Sequence, residues 1–149
     1  MSIYLVQHGL ALSKEEDPNR ALSQEGRKQT EKVADYLQKM GINVQEINHS
    51  GKTRAEETAG IFADRLTNGV IRKLDGMNPK DDVKALAAAL NSENAMYVGH
   101  LPHVSKLTSY LLANNEEAEI VKFTNSGVVC LEHVNNGYYL NWYLTPSLC

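Results

Sequence analysis

Two short apolar runs, Ile3-Tyr4-Leu5-Val6 and Ala95-Met96-Tyr97-Val98, each break off at a histidine with a glycine beside it. This repeated ending constrains the chain more than any other feature. Such runs read as short buried strands of a parallel sheet. Gln7-His8-Gly9 follows the first and Gly99-His100 the second. In open α/β sheets the residues just past the carboxyl ends of the strands line the ligand crevice. His8 and His100 therefore stand where a catalytic or ligand-binding side chain is expected. Gly9 removes a β-carbon next to His8, which permits a sharp turn or a close backbone approach.

Amphipathic helical patterns alternate with the strands. Ser23 is an N-cap for a helix over 24–40, with Val33, Leu37 and Met40 on its apolar face and Gly41 as its C′ residue. Residues 42–48 alternate as a second strand that ends at His49-Ser50-Gly51. A helix over Thr53–Leu66 carries the stripe Ala55, Ala59, Phe62 and Leu66, and 70–74 is a third strand. A third helix, over 80–90, places Val83, Leu86, Ala87 and Leu90 together. Pro102 suits the first turn of a fourth helix, with Val104, Leu107 and Leu111 inward. The β-rich stretches 126–134 and 138–144 flank Asn135-Asn136-Gly137, a hairpin signal. The pattern predicts one domain over residues 1–149, a three-layer α/β/α sandwich with a mostly parallel central sheet.

A chain of 149 residues buries about two thirds of its unfolded surface. Fifteen Lys and Arg against 18 Asp and Glu leave a net charge of −3, and no dense basic cluster is present. That balance argues against a nucleic-acid-binding face, yet an anionic substrate needs only two or three well-placed cations. The two cysteines, Cys130 and Cys149, lack metal-ligand spacing and suggest no disulfide framework. No secretory pattern and no stretch of 18 apolar residues is visible. The expectation is a cytoplasmic protein that does not enter the membrane.

If the strands are parallel, His8, His100 and Arg54, at the start of the helix after the second strand, reach the same edge of the sheet. Free backbone N–H groups at that helix start favour an anion, and an arginine can grip two phosphate oxygens at once. Two imidazoles and a guanidinium in one place make a phosphate pocket. A lone histidine at a strand end is more often structural. Two of them at matching topological positions, joined by Arg54, favour a shared site. The i, i+3 spacing of His100 and His103 is common by chance, and His103 is expected as a polar residue at the pocket rim rather than a metal ligand. Glu56 and Glu57 are expected on an exposed helix face, and Trp142 in the core.

Several stretches, in this order and spacing, resemble the histidine phosphatase superfamily (the phosphoglycerate mutase-like fold), and more narrowly its short SixA-type phosphohistidine phosphatases. They are Val6-Gln7-His8-Gly9, Arg20-Ala21-Leu22-Ser23 with Gly26, Ser50 through Arg54-Ala55-Glu56-Glu57-Thr58, Val98-Gly99-His100-Leu101-Pro102, Phe123-Thr124-Asn125-Ser126 and Asn141-Trp142. The resemblance spans nearly the whole chain. It implies that His8 is a nucleophile that takes up a phosphoryl group, with Arg54 and His100 holding its oxygens. It further implies that Arg20 reaches the phosphate from the first loop, with Gln7, Gly9 and Leu101 completing the binding positions. It requires no metal and no cofactor.

The resemblance has one departure. The family signature is Arg-His-Gly, and this chain has Gln7-His8-Gly9. A glutamine amide donates hydrogen bonds but brings neither charge nor fork, although Arg20 or Lys52 can partly restore the charge. No general acid for an ester leaving group stands out. Asp75, Asp81, Asp82 and the run Glu15-Glu16-Asp17 are candidates by position only. The implied activity is removal of phosphate from a phosphohistidine-carrying protein. Two alternatives stay open: hydrolysis of a small phosphorylated substrate, and a degenerate module that binds phosphate without turnover.

Overall fold

A computed structural model describes residues 1–149 throughout. The elements run β1 (Ser2–Gln7), α1 (Gln24–Lys39), β2 (Glu46–His49), α2 (Thr53–Leu66), β3 (Val70–Lys73), α3 (Val83–Ala89), β4 (Ala95–Gly99), α4 (His103–Ala113), β5 (Val128–Val134) and β6 (Gly137–Leu144), with a final 3₁₀ turn at Pro146–Leu148. One six-stranded sheet has the order β3-β2-β4-β1-β5-β6. The pairings among β3, β2, β4 and β1 are parallel, and β5 and β6 add an antiparallel edge. The sheet is thus mostly parallel, with helices on both faces.

Although the central strands read as unbroken apolar runs, their side chains alternate between two cores. Tyr4 and Val6 of β1, Met96 and Val98 of β4, and Val128 and Cys130 of β5 pack with Val33, Leu37, Ala55, Ala59, Phe62 and Leu66 of α1 and α2. Ile3, Leu5, Ala95, Tyr97, Val129 and Leu131 pack on the other face with Val83, Leu86, Val104 and Leu107 of α3 and α4. Burying both faces is what makes a parallel sheet stable. No helix is long and apolar enough to cross a membrane.

Several boundaries differ from the sequence expectation, each for a local reason. Met40 is 60% exposed rather than part of the α1 stripe, which is Thr30, Val33, Ala34 and Leu37. Residues 42–45 mimic a strand because Val44 is buried, but the Val44 N–H bonds to the Leu66 carbonyl at the end of α2 and not to a neighbouring strand. The third helix starts at Val83, not at 80, because the Asp82 carboxylate caps it by accepting from Lys84 N. The fourth starts at His103, with Pro102 before it at the cap position and a cis Leu101–Pro102 bond. Ser23 is the expected cap of α1, accepting from Gly26 N at 3.0 Å. Trp142, half-buried, packs against the α1/α2 core.

Candidate active site

The alternation of side chains along the strands brings the two histidines together. Val6 of β1 pairs with Val98 of β4, and both face α1 and α2. His8 and His100 lie two residues further along their strands, so they emerge on that same face just past the sheet edge. The ladder extends one step beyond β1, because His8 N–H donates to the Gly99 carbonyl at 3.0 Å. The rings end up tilted against each other with centroids 5.0 Å apart.

Each ring is oriented by one hydrogen bond. His8 Nδ1 lies 2.7 Å from the Gly9 carbonyl oxygen. A carbonyl only accepts, so Nδ1 carries the proton and Nε2 keeps a free lone pair. Gly9 is itself anchored, its N–H donating to Thr58 Oγ1 at 2.9 Å, while that hydroxyl donates to the Arg54 carbonyl at 2.7 Å. Asn125 Nδ2 donates to the His8 carbonyl at 3.0 Å. A β-carbon on Gly9 would lie 2.8 Å from Thr30 Oγ1 and 3.1 Å from both Leu22 Cδ2 and Ser126 Oγ. Glycine is required at this position by close packing. His100 Nε2 lies 2.6 Å from Ser50 Oγ, and its Nδ1 is buried with no partner in the chain.

Both rings are neutral at pH 7. Burial lowers the His8 pKa to about 4; the bond to Gly9 opposes this, and the Arg54 and Arg20 charges add to the lowering. His100 falls to about 3 through burial, with the nearby His8, Arg54, Lys52 and His103 adding to the lowering.

Arg54, the second residue of α2, is half-buried, and its Nε has no hydrogen-bond partner. Arg20 adopts a left-handed backbone conformation, φ +50°, and its Nε donates to the Leu12 carbonyl at 3.0 Å. The loop around it is wound on Asp17, whose two carboxylate oxygens accept from Asn19 N and Ala21 N. Neither arginine is paired with a carboxylate, and the ion pairs of the chain all lie elsewhere. Two unneutralised guanidiniums beside two neutral imidazoles leave a local positive field that suits an oxyanion. Leu10 and Leu101, each adjacent to the site in sequence, are 37% and 42% exposed.

The sequence candidates therefore fare differently. His8 and Gly9 stand together with His100, Arg54 and Arg20: the two rings are 5.0 Å apart, and the charges of both arginines act on His8. Gln7 precedes His8, and its amide oxygen is buried without a partner. His103, expected at the rim, is instead fully buried, because the first turn of α4 turns inward beneath the loop carrying Gly76. Glu57, expected on an exposed face, accepts from Leu22 N at 2.8 Å and from Arg27 at 2.6 Å, tying the first loop to α2. Ser126 is fully buried and bonds Thr30 Oγ1 at 2.7 Å, so its role is to pack the loop under Gly9. Of the candidate acids, Asp17, Asp81 and Asp82 are occupied by backbone N–H groups of their own turns and Glu16 by Ser13, while Asp75 lines a separate cavity with Arg72 and Tyr97. The residues missed from sequence are Ser50, Thr58 and Asp17 in these roles. A hydroxyl or carboxylate that acts through one hydrogen bond leaves no periodic signal.

A sheet whose parallel strand ends gather two histidines and two free arginines defines a phosphate-directed α/β protein. Residues 3–78 match the histidine phosphatase superfamily (branch 1), so the chain belongs to that family and is a phosphatase. It is 28% identical to the phosphohistidine phosphatase SixA of Escherichia coli, over 98% of this chain and 94% of that one. It is 26% identical to an uncharacterised protein of Picosynechococcus, over 94% of each. The fold superposes on the protein histidine phosphatase SixA complexed with tungstate with a TM-score of 0.88, at 23% identity and 99% coverage of both chains.

Proposed function

We propose that the chain dephosphorylates phosphohistidine on a partner protein through a covalent intermediate on His8. The observation that carries this reading is the pairing of a free His8 Nε2 lone pair with a site in which no histidine or arginine is ion-paired to a carboxylate. An ester leaving group needs a proton from a well-placed acid. Imidazole, leaving from a labile P–N bond, does not. The similarity to the SixA of Escherichia coli, named for this activity, points the same way.

In the first step the Nε2–P bond forms as the P–N bond of the substrate breaks. That bond's electron pair stays on the departing imidazole, which is protonated from solvent. Arg54, Arg20 and the Nδ1–H of His100 hold the phosphoryl oxygens and offset charge in the transition state. In the second step water attacks phosphorus and gives up a proton to solvent, and the Nε2–P pair returns to His8. Leu10 and Leu101 supply an apolar rim against which a protein surface can seat. No step calls for a metal or cofactor.

The test is phosphate release from a phosphohistidine-carrying protein, beside p-nitrophenyl phosphate, for wild type and His8→Ala. Release from phosphohistidine, lost in His8→Ala, is expected. Preferential turnover of the ester would move the reading to a small-molecule phosphomonoesterase. Phosphate binding without turnover of either would leave a degenerate binding module.

A further inference from the structure

We propose that Ser50 is a positioning residue that fixes the tautomer of His100, so that Nδ1 carries the proton and donates to a phosphoryl oxygen. The inference deepens the reading above and rests on it for the identity of the acceptor. Ser50 sits just past the end of β2, 5% exposed, with its Oγ 2.6 Å from His100 Nε2. The same oxygen accepts a hydrogen bond from the Lys52 backbone N–H at 3.3 Å.

A serine hydroxyl has one proton to donate and two lone pairs to accept with. If Nε2 carried the imidazole proton, it and the Lys52 N–H would both donate to Ser50. The Ser50 proton would then have no acceptor, and the buried Nδ1 lone pair would face the oxyanion. Reversing the bond leaves one group of this set unmatched instead of two. Lys52 N–H donates to Ser50 Oγ, Ser50 O–H donates to His100 Nε2, and Nδ1–H is left as the one donor without a partner. Leaving a buried polar group unmatched is unfavourable, so the second arrangement is the stable one. It leaves an open donor where a phosphate oxygen can complete the set.

Tautomer control matters because the ring is neutral. An imidazolium would donate from both nitrogens without help, but burial, aided by the Arg54 and Lys52 charges, holds His100 uncharged across the physiological range. A neutral ring has one N–H, and only one of its two placements serves the phosphate. Ser50 makes that choice by a contact on the side of the ring away from the substrate.

The experiment reads the ring nitrogens of ¹⁵N-histidine-labelled protein by long-range ¹H–¹⁵N correlation at pH 7, with and without inorganic phosphate. In wild type His100 is expected as the Nδ1–H tautomer, and this N–H is expected to shift when phosphate is added. Ser50→Ala should redistribute the tautomers toward Nε2–H and weaken inorganic phosphate binding roughly tenfold, less than the ~10²–10³ loss from deleting an oxyanion donor outright. Ser50→Thr, which keeps the hydroxyl, should restore both. A wild-type His100 protonated at Nε2 would overturn the proposal, as would a Ser50→Ala protein with unchanged tautomer and phosphate affinity. The tautomer is read on the free protein, so this outcome does not depend on which phosphorylated substrate is turned over.

Discussion

Replacing Thr58 by valine tests how His8, the proposed nucleophile, is held. Thr58 is fully buried in α2, and its hydroxyl takes the Gly9 N–H at 2.9 Å while donating to the Arg54 carbonyl at 2.7 Å. Valine keeps the shape and removes both bonds. The Arg54 carbonyl retains its place in the helix ladder, so that loss is minor, about 0.5–1 kcal/mol. The Gly9 N–H has no other acceptor within the chain, and leaving it buried and unpaired costs about 1–3 kcal/mol. Together these predict a loss of about 1.5–4 kcal/mol, or a fall in Tm of roughly 3–16 °C for a chain of this size. Activity should fall as well, because the Gly9 peptide that orients His8 Nδ1 loses its anchor. Thr58→Ser keeps the hydroxyl and gives up one buried methyl, so it should cost about 1 kcal/mol while leaving kcat near wild type. Urea unfolding gives the stabilities, with an unchanged m-value showing that the comparison is fair, and steady-state turnover gives the rest. A Thr58→Val protein as stable and as active as wild type would refute the reasoning. So would equal loss of kcat in the serine and valine variants.

Gln7→Arg should raise kcat/KM by roughly tenfold to a hundredfold, since it adds a charged donor where the proposed mechanism places the phosphoryl group beside Arg54 and Arg20; the gain reaches at most the lower end of the ~2.7–4 kcal/mol of a full oxyanion donor because another buried cation must be desolvated. No gain would sink the idea that the missing charge limits this protein. The pH–rate profile of the free protein should keep its activity well below the ordinary imidazole range, with the acid limb near pH 4, where His8 takes up a proton; an acid limb at pH 6.5 would contradict the burial of that ring. Stability should decline as pH falls below about 6.5, because the unfolded chain then binds protons that the folded His8 and His100, lowered to about 4 and about 3, refuse until lower pH. Urea midpoints measured between pH 7 and pH 4 would show it.

The strand ends were legible because two constraints coincide there. Ile3–Val6 and Ala95–Val98 must be apolar to be covered on both faces, and the change to Gln7-His8-Gly9 and Gly99-His100 marks where cover ends and the crevice begins. The bounds of α2 were legible for a similar reason, since a regular stripe from Ala55 to Leu66 meets one core. Where the sequence misled, burial without the matching element was the cause. Val44 alternates like a strand residue while bonding the end of a helix, and Met40 follows the helical period one turn past the core. His103 illustrates the converse, a polar residue drawn fully inside by the start of its helix. The supporting shell was illegible altogether. Thr58 reaches across 49 residues to Gly9, and Ser50 across 50 to His100. Such single long-range bonds are set by the closure of the sheet, and nothing local announces them. Asp17 differs only in being local, an acid spent on the turn that holds Arg20 in its left-handed conformation.

The decisive measurement is rapid quench of the enzyme with a phosphohistidine-carrying protein under single-turnover conditions, followed by mapping of any phosphoryl group bound to this chain. The geometry predicts a transient, acid-labile phosphoramidate on His8, attached at Nε2, since Nδ1 is occupied by Gly9. It should be absent in His8→Ala and should accumulate when hydrolysis is slowed. Phosphate release at the wild-type rate from His8→Ala, or a phosphoryl group trapped on any other residue, would contradict it.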